Sequence, residues 1–415
     1  MTGQTKTVGR DEAKHDLKFP EGPYPARYEI NLSQDFLDKT LRKVQEYRPT
    51  SGLSAEWTIE GPAPQHVEQL AQYWGSVYDW KSVEEKISTD YQHYATVIPE
   101  VDNYTHPIPL HFIHHRSKNE DAMPLLLLHG WPSSFLEWSR VIGSLTNHPT
   151  QSFHIVAPSL PGFGFSPAPT APGLGPRQMG NAFNLLMKQL GYDRYSMATT
   201  DLGWTIGMWM AHEQSEHIIG HFCDFFFSPP NDDDLARMQS GTLTAEEAAY
   251  LGNANAWMNS HSAYSTVHSQ KPLALSYAFT DSPVGFLAWI WDLAYTASDG
   301  YECSEEELIT DTMMLWIPGP YANIRTYLEY YKPGNMQFPT STVPTGVSQW
   351  GFGQGPFQDI GNFPFVPQEW IKRTVNLTYF NRHTSGGHFP SIKEPGLWVQ
   401  DVQAFFYQLN VTRAQ

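Results

Sequence analysis

The spacing of apolar and polar residues predicts alternating strands and helices through the middle of the chain. Residues 125–128 are four consecutive leucines, and residues 153–157 form a second apolar run. Such runs are typical of strands buried on both faces of a parallel sheet. The pattern continues with a helix over 177–190, a strand over 195–200, a helix over 203–213 and a strand over 218–227. This alternation predicts an α/β fold, with a mostly parallel central sheet flanked by helices.

The chain on either side of this region has a different pattern. Amphipathic helices are predicted near residues 31–48 and 65–87, followed by strands up to residue 116. After residue 229 the pattern is helical without a strong strand, which indicates a helical cap inserted into the sheet domain. Strand and helix patterns then return near the end of the chain. We therefore expect four parts: an N-terminal segment (1–115), the first part of the sheet domain (116–229), the cap (230–338) and the second part of the sheet domain (339–415).

Composition limits the partners and the compartment. The formal net charge of −17 argues against nucleic acid and anionic membranes, because both require clustered lysine and arginine. The chain has only two cysteines, which favours a reducing compartment over a disulfide framework. No signal peptide and no run of about 18 apolar residues is visible. We expect a soluble, cytoplasmic protein.

A short turn between the strand at 195–200 and the helix at 203–213 carries the first candidate for catalysis. Asp201 is flanked two residues away on each side by Thr199 and Gly203. This is the small-x-nucleophile-x-small pattern of a nucleophile elbow, in which a sharp turn lifts one side chain clear of the sheet. Esterases have serine at this position. The alternative interpretation is that Asp201 only caps the following helix.

Two further predicted strands end in polar motifs that would meet Asp201 at the carboxyl edge of the sheet. One strand ends in His129-Gly130-Trp131-Pro132, and another ends in Gly386-Gly387-His388. An acid is expected between the nucleophile and the histidine, since the order nucleophile, acid, histidine is that of α/β-hydrolases. The candidates for this acid are Asp359 and Glu369.

A set of motifs resembles one known family, the epoxide hydrolases of the microsomal type and their soluble fungal relatives. The motifs are HGWPSSFLEW at 129–138, PSLPGFGFS at 158–166, the Asp201 elbow, DSPVG at 281–285, VPTG at 343–346 and SGGHF at 385–389. The resemblance implies an α/β-hydrolase fold with an inserted helical cap and an N-terminal extension. One departure concerns the elbow, because the family usually has Gly-Gly where this chain has Thr199-Thr200.

The resemblance also implies roles for the candidate residues. Asp201 would attack an epoxide carbon to form an alkyl ester, and His388 would activate the water that cleaves this ester. The family places its acid nearly thirty residues before the histidine, a spacing that favours Asp359 over Glu369. Backbone N–H groups of Trp131 and Leu202 can hold the developing oxyanion. Leu202 lies at the elbow, and Trp131 lies in the loop that contains His129 and Pro132. A cis Trp131–Pro132 peptide is predicted in that loop.

Two cap tyrosines of the family donate a proton to the opening epoxide. Tyr264 matches the first of them, since Lys271-Pro272 and the DSPVG motif follow it as in the family. Tyr331, directly before Lys332, matches the second, and Tyr330 is the alternative. An apolar stripe of Ile324, Tyr327, Leu328 and Tyr331 at helical spacing leaves open that Tyr331 only packs.

These patterns predict a hydrolase that needs no cofactor or metal and converts small apolar epoxides to vicinal diols with water. Three alternatives stay open. A dehalogenase on the same fold also uses an aspartate nucleophile, but Leu202 stands where such enzymes often have a halide-binding tryptophan. The chain could also be a non-catalytic ligand-binding relative, or an enzyme that opens the epoxide with an internal hydroxyl. The sequence leaves a homodimer open.

Overall fold

The computed structural model describes residues 18–53 and 57–414, apart from the side chains of residues 58–59 and 410–414. The first 17 residues of the predicted N-terminal segment therefore lie outside the described residues, as do residues 54–56 and 415.

One nine-stranded sheet forms the centre of the described structure, in the order β1-β2-β3-β5-β4-β6-β7-β8-β9. The strands are β1 (Ala26–Arg27), β2 (His93–Ile98), β3 (Ile108–His115), β4 (Met123–Leu128), β5 (Phe153–Pro158), β6 (Tyr195–Thr199), β7 (Ile218–Cys223), β8 (Pro344–Trp350) and β9 (Asn376–His383). Strands β1, β2 and β3 are antiparallel to their neighbours, and all pairings from β5 to β9 are parallel. The four leucines at 125–128 lie in β4 and are fully buried, as their unbroken apolar run predicts.

The helices fall into groups that follow the chain. The N-terminal segment contains α1 (Gln34–Gln45), α2 (Trp57–Glu60), α3 (Pro64–Ser76) and α4 (Trp80–Asp90). The first part of the sheet domain contains α5 (Ile142–Thr146), α6 (Pro176–Gln189) and α7 (Asp201–Glu213). Between β7 and β8 lie α8 (Asp232–Ser240), α9 (Ala245–Ser260), α10 (Ala263–Gln270), α11 (Pro272–Asp281), α12 (Pro283–Ala297), α13 (Glu305–Trp316), α14 (Pro320–Ile324) and α15 (Thr326–Tyr330). The chain closes with α16 (Gln368–Ile371), α17 (Pro390–Lys393) and α18 (Pro395–Ala414).

Local signals account for several helix ends. Ser33 caps α1, and its side chain accepts a hydrogen bond from the Phe36 N–H. The helical stretch expected over 65–87 is two helices, since Asp79 caps α4 and starts a new helix after α3. The stripe at helical spacing from Ile324 to Tyr331 likewise falls on two helices, α14 and α15, which are divided at Arg325.

The N-terminal helices pack against the cap. The Trp316 indole of α13 donates to the Thr40 hydroxyl of α1 at 3.1 Å, and Lys43 of α1 pairs with Asp281 of α11 at 2.6 Å. Trp57 of α2 donates to the Asp292 carboxylate of α12 at 3.2 Å. The N-terminal segment therefore contributes strands to the sheet and helices to the support of the cap. No helix in the described part of the chain is long and apolar enough to cross a membrane.

Candidate active site

Asp201 occupies a sharp turn between β6 and α7. Its φ of 45° lies in the left-handed region, which non-glycine residues rarely adopt and which is often found at functional sites. A Cβ at Gly203 would collide with the carbonyl oxygen of Leu128, and a Cβ at Gly130 would collide with the Asp201 carboxylate. Both glycines are therefore needed for the close approach of the two loops that surround Asp201.

The loop after β4 supplies a hydrogen-bond donor to the Asp201 carboxylate. The Trp131 N–H donates to Asp201 Oδ1 at 2.8 Å, and the Trp131–Pro132 peptide is cis, as predicted. Leu202 follows Asp201 in the first turn of α7, where backbone N–H groups have no partner four residues earlier in the helix. The Trp131 N–H thus contacts the carboxylate, and the Leu202 N–H is not used by the helix, so both are candidates for an oxyanion site.

His388 reaches Asp201 from the loop after β9. Its Nε2 lies 3.6 Å from Asp201 Oδ2, and each of the two side chains is about 15% exposed or less. The backbone N–H of His388 donates to the Ala297 carbonyl at 2.8 Å. Asp299 holds the same loop, because its carboxylate accepts from Ser385 and from the Gly386 N–H. The cap thus positions the histidine loop directly.

Two tyrosines of the cap face the nucleophile. Tyr264 of α10 stacks on the Trp131 indole with ring centroids 5.3 Å apart, and Tyr327 of α15 meets Tyr264 edge to face at 5.8 Å. Burial raises the pKa of both phenols well above the usual value, and the negative charge of Asp201 adds to the shift. Both hydroxyls therefore keep their protons at neutral pH and can act as donors.

The sequence favours Tyr331 as the second donor and leaves open that Tyr331 only packs. In the structure, Tyr327 is 3% exposed, while Tyr331 is 54% exposed and stacks on the outer side of Tyr327 at 6.2 Å. The alternative, Tyr330, is buried, and its hydroxyl contacts the sulfur of Met179. The structure therefore brings Tyr327 against Tyr264. Its position on the same helical stripe was the signal in the sequence.

The two acids proposed as partners of His388 do not lie beside it. Asp359 is exposed, and its charge acts on the His261 ring of the cap, where it partly opposes the lowering of the His261 pKa by burial. Glu369 is also exposed and pairs with Lys372 at 2.6 Å. The loop after β8 carries Asp359 toward the cap, so the role that spacing favours for it stays a prediction. Among the described residues, Asp201 provides the one carboxylate within 4.0 Å of a His388 ring nitrogen.

The residues next to the elbow support it. The His129 ring is fully buried, with Nδ1 at 3.1 Å from the Gly130 carbonyl and Nε2 accepting from the Leu160 N–H. Burial lowers the pKa of His129 to about 4, so this ring is neutral and structural. Thr199 also has a structural partner, since its hydroxyl lies 2.7 Å from His221 Nε2. Threonine in place of glycine thus fits this elbow through a hydrogen bond beneath it.

Comparison with known proteins agrees with this geometry. The family "Epoxide hydrolase N terminus" matches residues 25–138, and the family "alpha/beta hydrolase fold" matches residues 123–222. Juvenile hormone epoxide hydrolase 2 from Ctenocephalides felis is 28% identical over 402 residues, which cover 90% of this chain and 84% of the relative. Epoxide hydrolase 1 from Sus scrofa is 26% identical over 417 residues, with 91% and 87% covered.

The chain is similar to epoxide hydrolases along most of its length. The structure of Aspergillus niger epoxide hydrolase has a TM-score of 0.77 at 25% identity and covers 95% of this chain and 99% of its own. The fold of juvenile hormone epoxide hydrolase from Bombyx mori is also similar, with a TM-score of 0.81. The α/β fold predicted from the strand and helix pattern, and the α/β-hydrolase fold implied by the resemblance, are therefore confirmed.

Two buried acidic residues near the site were missed in the sequence. Asp299 lies in the loop after α12 and is fully buried. Asp224 lies within the apolar stretch 218–227 that was predicted to be one strand, but β7 ends at Cys223. An acid inside an apolar run was the available signal for Asp224, because a charged residue is rarely buried without a partner.

Proposed function

We propose that this protein hydrolyses small apolar epoxides to vicinal diols through an ester formed on Asp201. One arrangement carries the proposal: the Asp201 carboxylate lies between the Trp131 N–H, His388 Nε2 and the phenols of Tyr264 and Tyr327. Nucleophile, base and proton donors thus share one space at the carboxyl edge of the sheet.

The first half-reaction uses the carboxylate and the phenols. An oxygen of Asp201 attacks one epoxide carbon, the ring C–O bond breaks, and the ring oxygen takes a proton from a tyrosine. The products are an alkyl ester on Asp201 and a tyrosinate. The charge of Asp201 acts on the four cap tyrosines Tyr264, Tyr327, Tyr330 and Tyr331, so packing decides between them. Tyr264 and Tyr327 are the proposed donors, because Tyr264 stacks on Trp131 and Tyr327 is buried edge to face against Tyr264. The role of Tyr331 as a donor stays a prediction from the sequence, and substitution of Tyr327 and Tyr331 one at a time can tell which of them donates the proton.

The second half-reaction uses His388. The imidazole takes a proton from water, and the hydroxide adds to the ester carbonyl carbon. The N–H groups of Trp131 and Leu202 stabilise the oxyanion that forms there. The acyl C–O bond then breaks, His388 protonates the departing alkoxide to complete the diol, and the proton of the Asp201 carboxylic acid returns to the tyrosinate.

The cap favours epoxides over organic halides as substrates. A halide leaving group carries no basic oxygen, so it requires N–H donors rather than phenols with raised pKa values. The indole N–H of Trp131, in the oxyanion loop, donates to Asn323 at 3.0 Å and is thus occupied. The aromatic faces of Trp131 and Tyr264 favour an apolar or aryl substituent. A homodimer and a cytoplasmic location stay predictions from the sequence.

Intact-protein mass spectrometry tests the mechanism. A His388→Gln variant mixed with styrene oxide is expected to gain the mass of one epoxide, and peptide mapping should place it on Asp201. Asp201→Asn is the matched control and should gain no mass. A folded His388→Gln protein that stays unmodified across aryl and alkyl epoxides would refute the proposed chemistry.

A further inference from the structure

The end of β7 places an acid beside the catalytic elbow. Leu128 pairs with Thr199, and Thr199 pairs with Cys223, so the three parallel strands end at one level. The next residues along β6 and β7 are Thr200 and Asp224. Asp224 therefore leaves the sheet next to the turn that carries the nucleophile.

The Asp224 carboxylate is buried, and one of its oxygens lacks a hydrogen bond of full geometry. It is 6% exposed, and its Oδ2 accepts from the Trp398 indole N–H at 2.6 Å. Its Oδ1 makes no hydrogen bond of full geometry to a described residue, although the Thr200 hydroxyl is close enough to lower the pKa of the carboxyl. A buried carboxylate oxygen that is incompletely bonded is costly, so a nearby positive charge would stabilise it.

The positive form of His388 can provide that stabilisation. Phe225, the neighbour of Asp224, packs edge to face on the His388 ring at 5.5 Å, so the two segments are in contact. Burial raises the pKa of Asp224 to about 6, while the Thr200 hydroxyl, the Trp398 indole and the charge of His388 act in the opposite direction. The interaction with His388 therefore favours the ionised carboxylate.

Two other buried acids are poorer candidates. Asp299 uses Oδ1 to accept from the Gln354 N–H and Oδ2 to accept from Ser385 and Gly386, so it holds loops together. Glu137 also lies near Asp224, but burial, followed by the charge of Asp224, raises the pKa of Glu137 well above its usual value. A carboxyl whose ionised form is disfavoured in this way is a poor counter-charge for an imidazolium.

We infer that Asp224 is the charge partner and positioning residue of His388, in the role that the sequence assigned to Asp359. This inference rests on the proposed function and deepens it. When His388 removes a proton from water, Asp224 stabilises the imidazolium that forms and holds the ring with Nε2 toward the ester. The alkylation of Asp201 does not involve His388, so it does not require Asp224.

This division between the two half-reactions gives a specific test. Asp224→Asn keeps the size of the side chain and an oxygen that accepts from Trp398. Rapid-quench mass spectrometry with styrene oxide should show ester formation within about threefold of wild type and ester hydrolysis slowed by about 10²–10⁴-fold. The ester on Asp201 should therefore accumulate during turnover. A loss of structure alone would slow both steps together.

Matched variants separate the outcomes. Asp359→Asn should behave as wild type, and thermal unfolding verifies that each variant is folded. The inference is overturned if Asp224→Asn hydrolyses its ester at the wild-type rate, or if Asp299→Asn or Asp359→Asn accumulates ester and Asp224→Asn does not. If His388→Gln also forms no ester, the proposed function itself fails. Should Asp224→Asn not fold, Asp224→Ser replaces it, with the same outcomes.

Discussion

Removing the hydroxyl of Tyr327 should reduce activity and raise stability at the same time. The side chain is 3% exposed, and its hydroxyl lacks a hydrogen bond of full geometry among the described residues, although the Tyr264 hydroxyl is close enough to interact with it. A donor held ready for the substrate oxygen is incompletely bonded in the free enzyme. Tyr327→Phe removes this group and leaves the ring contacts in place.

The size of both effects follows from the burial of the hydroxyl. A hydrogen bond to a charged acceptor contributes about 1.5–3 kcal/mol, so the loss of one donor should slow alkylation by roughly 10–150-fold. Burying an unsatisfied polar group costs up to about 1–3 kcal/mol, which Tyr327→Phe would recover. With an unfolding entropy of about 2.1 cal/mol/K per residue over 415 residues, that gain raises Tm by about 1–3 °C.

Single-turnover kinetics with an aryl epoxide and differential scanning calorimetry measure the two effects. Tyr331→Phe is the control, because this side chain is 54% exposed and should change neither the alkylation rate by more than about threefold nor Tm by more than about 1 °C. If Tyr331→Phe loses the alkylation step and Tyr327→Phe keeps it, the assignment of the donor from burial is wrong. If Tyr327→Phe lowers Tm, the hydroxyl is bonded in the free protein.

Two further predictions concern the stability of the elbow. Gly203→Ala should destabilise the protein by about 2–3 kcal/mol or more in a denaturant titration, because its Cβ would collide with the Leu128 carbonyl. The control is Gly143→Ala at an exposed position of α5, which should be neutral or stabilise the protein by up to about 1 kcal/mol. Equal effects of the two substitutions would contradict the collision. Burial keeps the pKa of His129 near 4 in the folded protein, whereas in the unfolded chain this histidine takes up a proton at higher pH. The free energy of unfolding should therefore fall as the pH is lowered from 6.5 toward 4. The loss of stability from His129 reaches about 3 kcal/mol at pH 4. It should be missing when the unfolding free energy of His129→Gln is measured against pH. The same pH dependence in this variant and in wild type would show that His129 makes no such contribution.

The sequence by itself determined the elements whose signals are local. The leucine run of β4 and the small residues around Asp201 predicted a buried strand and a sharp turn, because both depend on neighbouring residues in the chain. The order of strands along the chain also predicted that the Trp131, Asp201 and His388 loops share one sheet edge. The structure shows all three in contact there.

Only the tertiary structure decided which acid and which tyrosines surround these residues. Spacing along the chain favoured Asp359 and Tyr331, but the loop after β8 turns Asp359 to the surface, and α15 buries Tyr327 beneath Tyr331. Asp224 looked like an interruption in an apolar strand until the end of β7 was known. Long loops and the packing of the cap bring together residues that are far apart in the sequence. Which charges and hydroxyls lie near Asp201 and His388 therefore depends on how the cap packs on the sheet, and local sequence patterns do not contain this information.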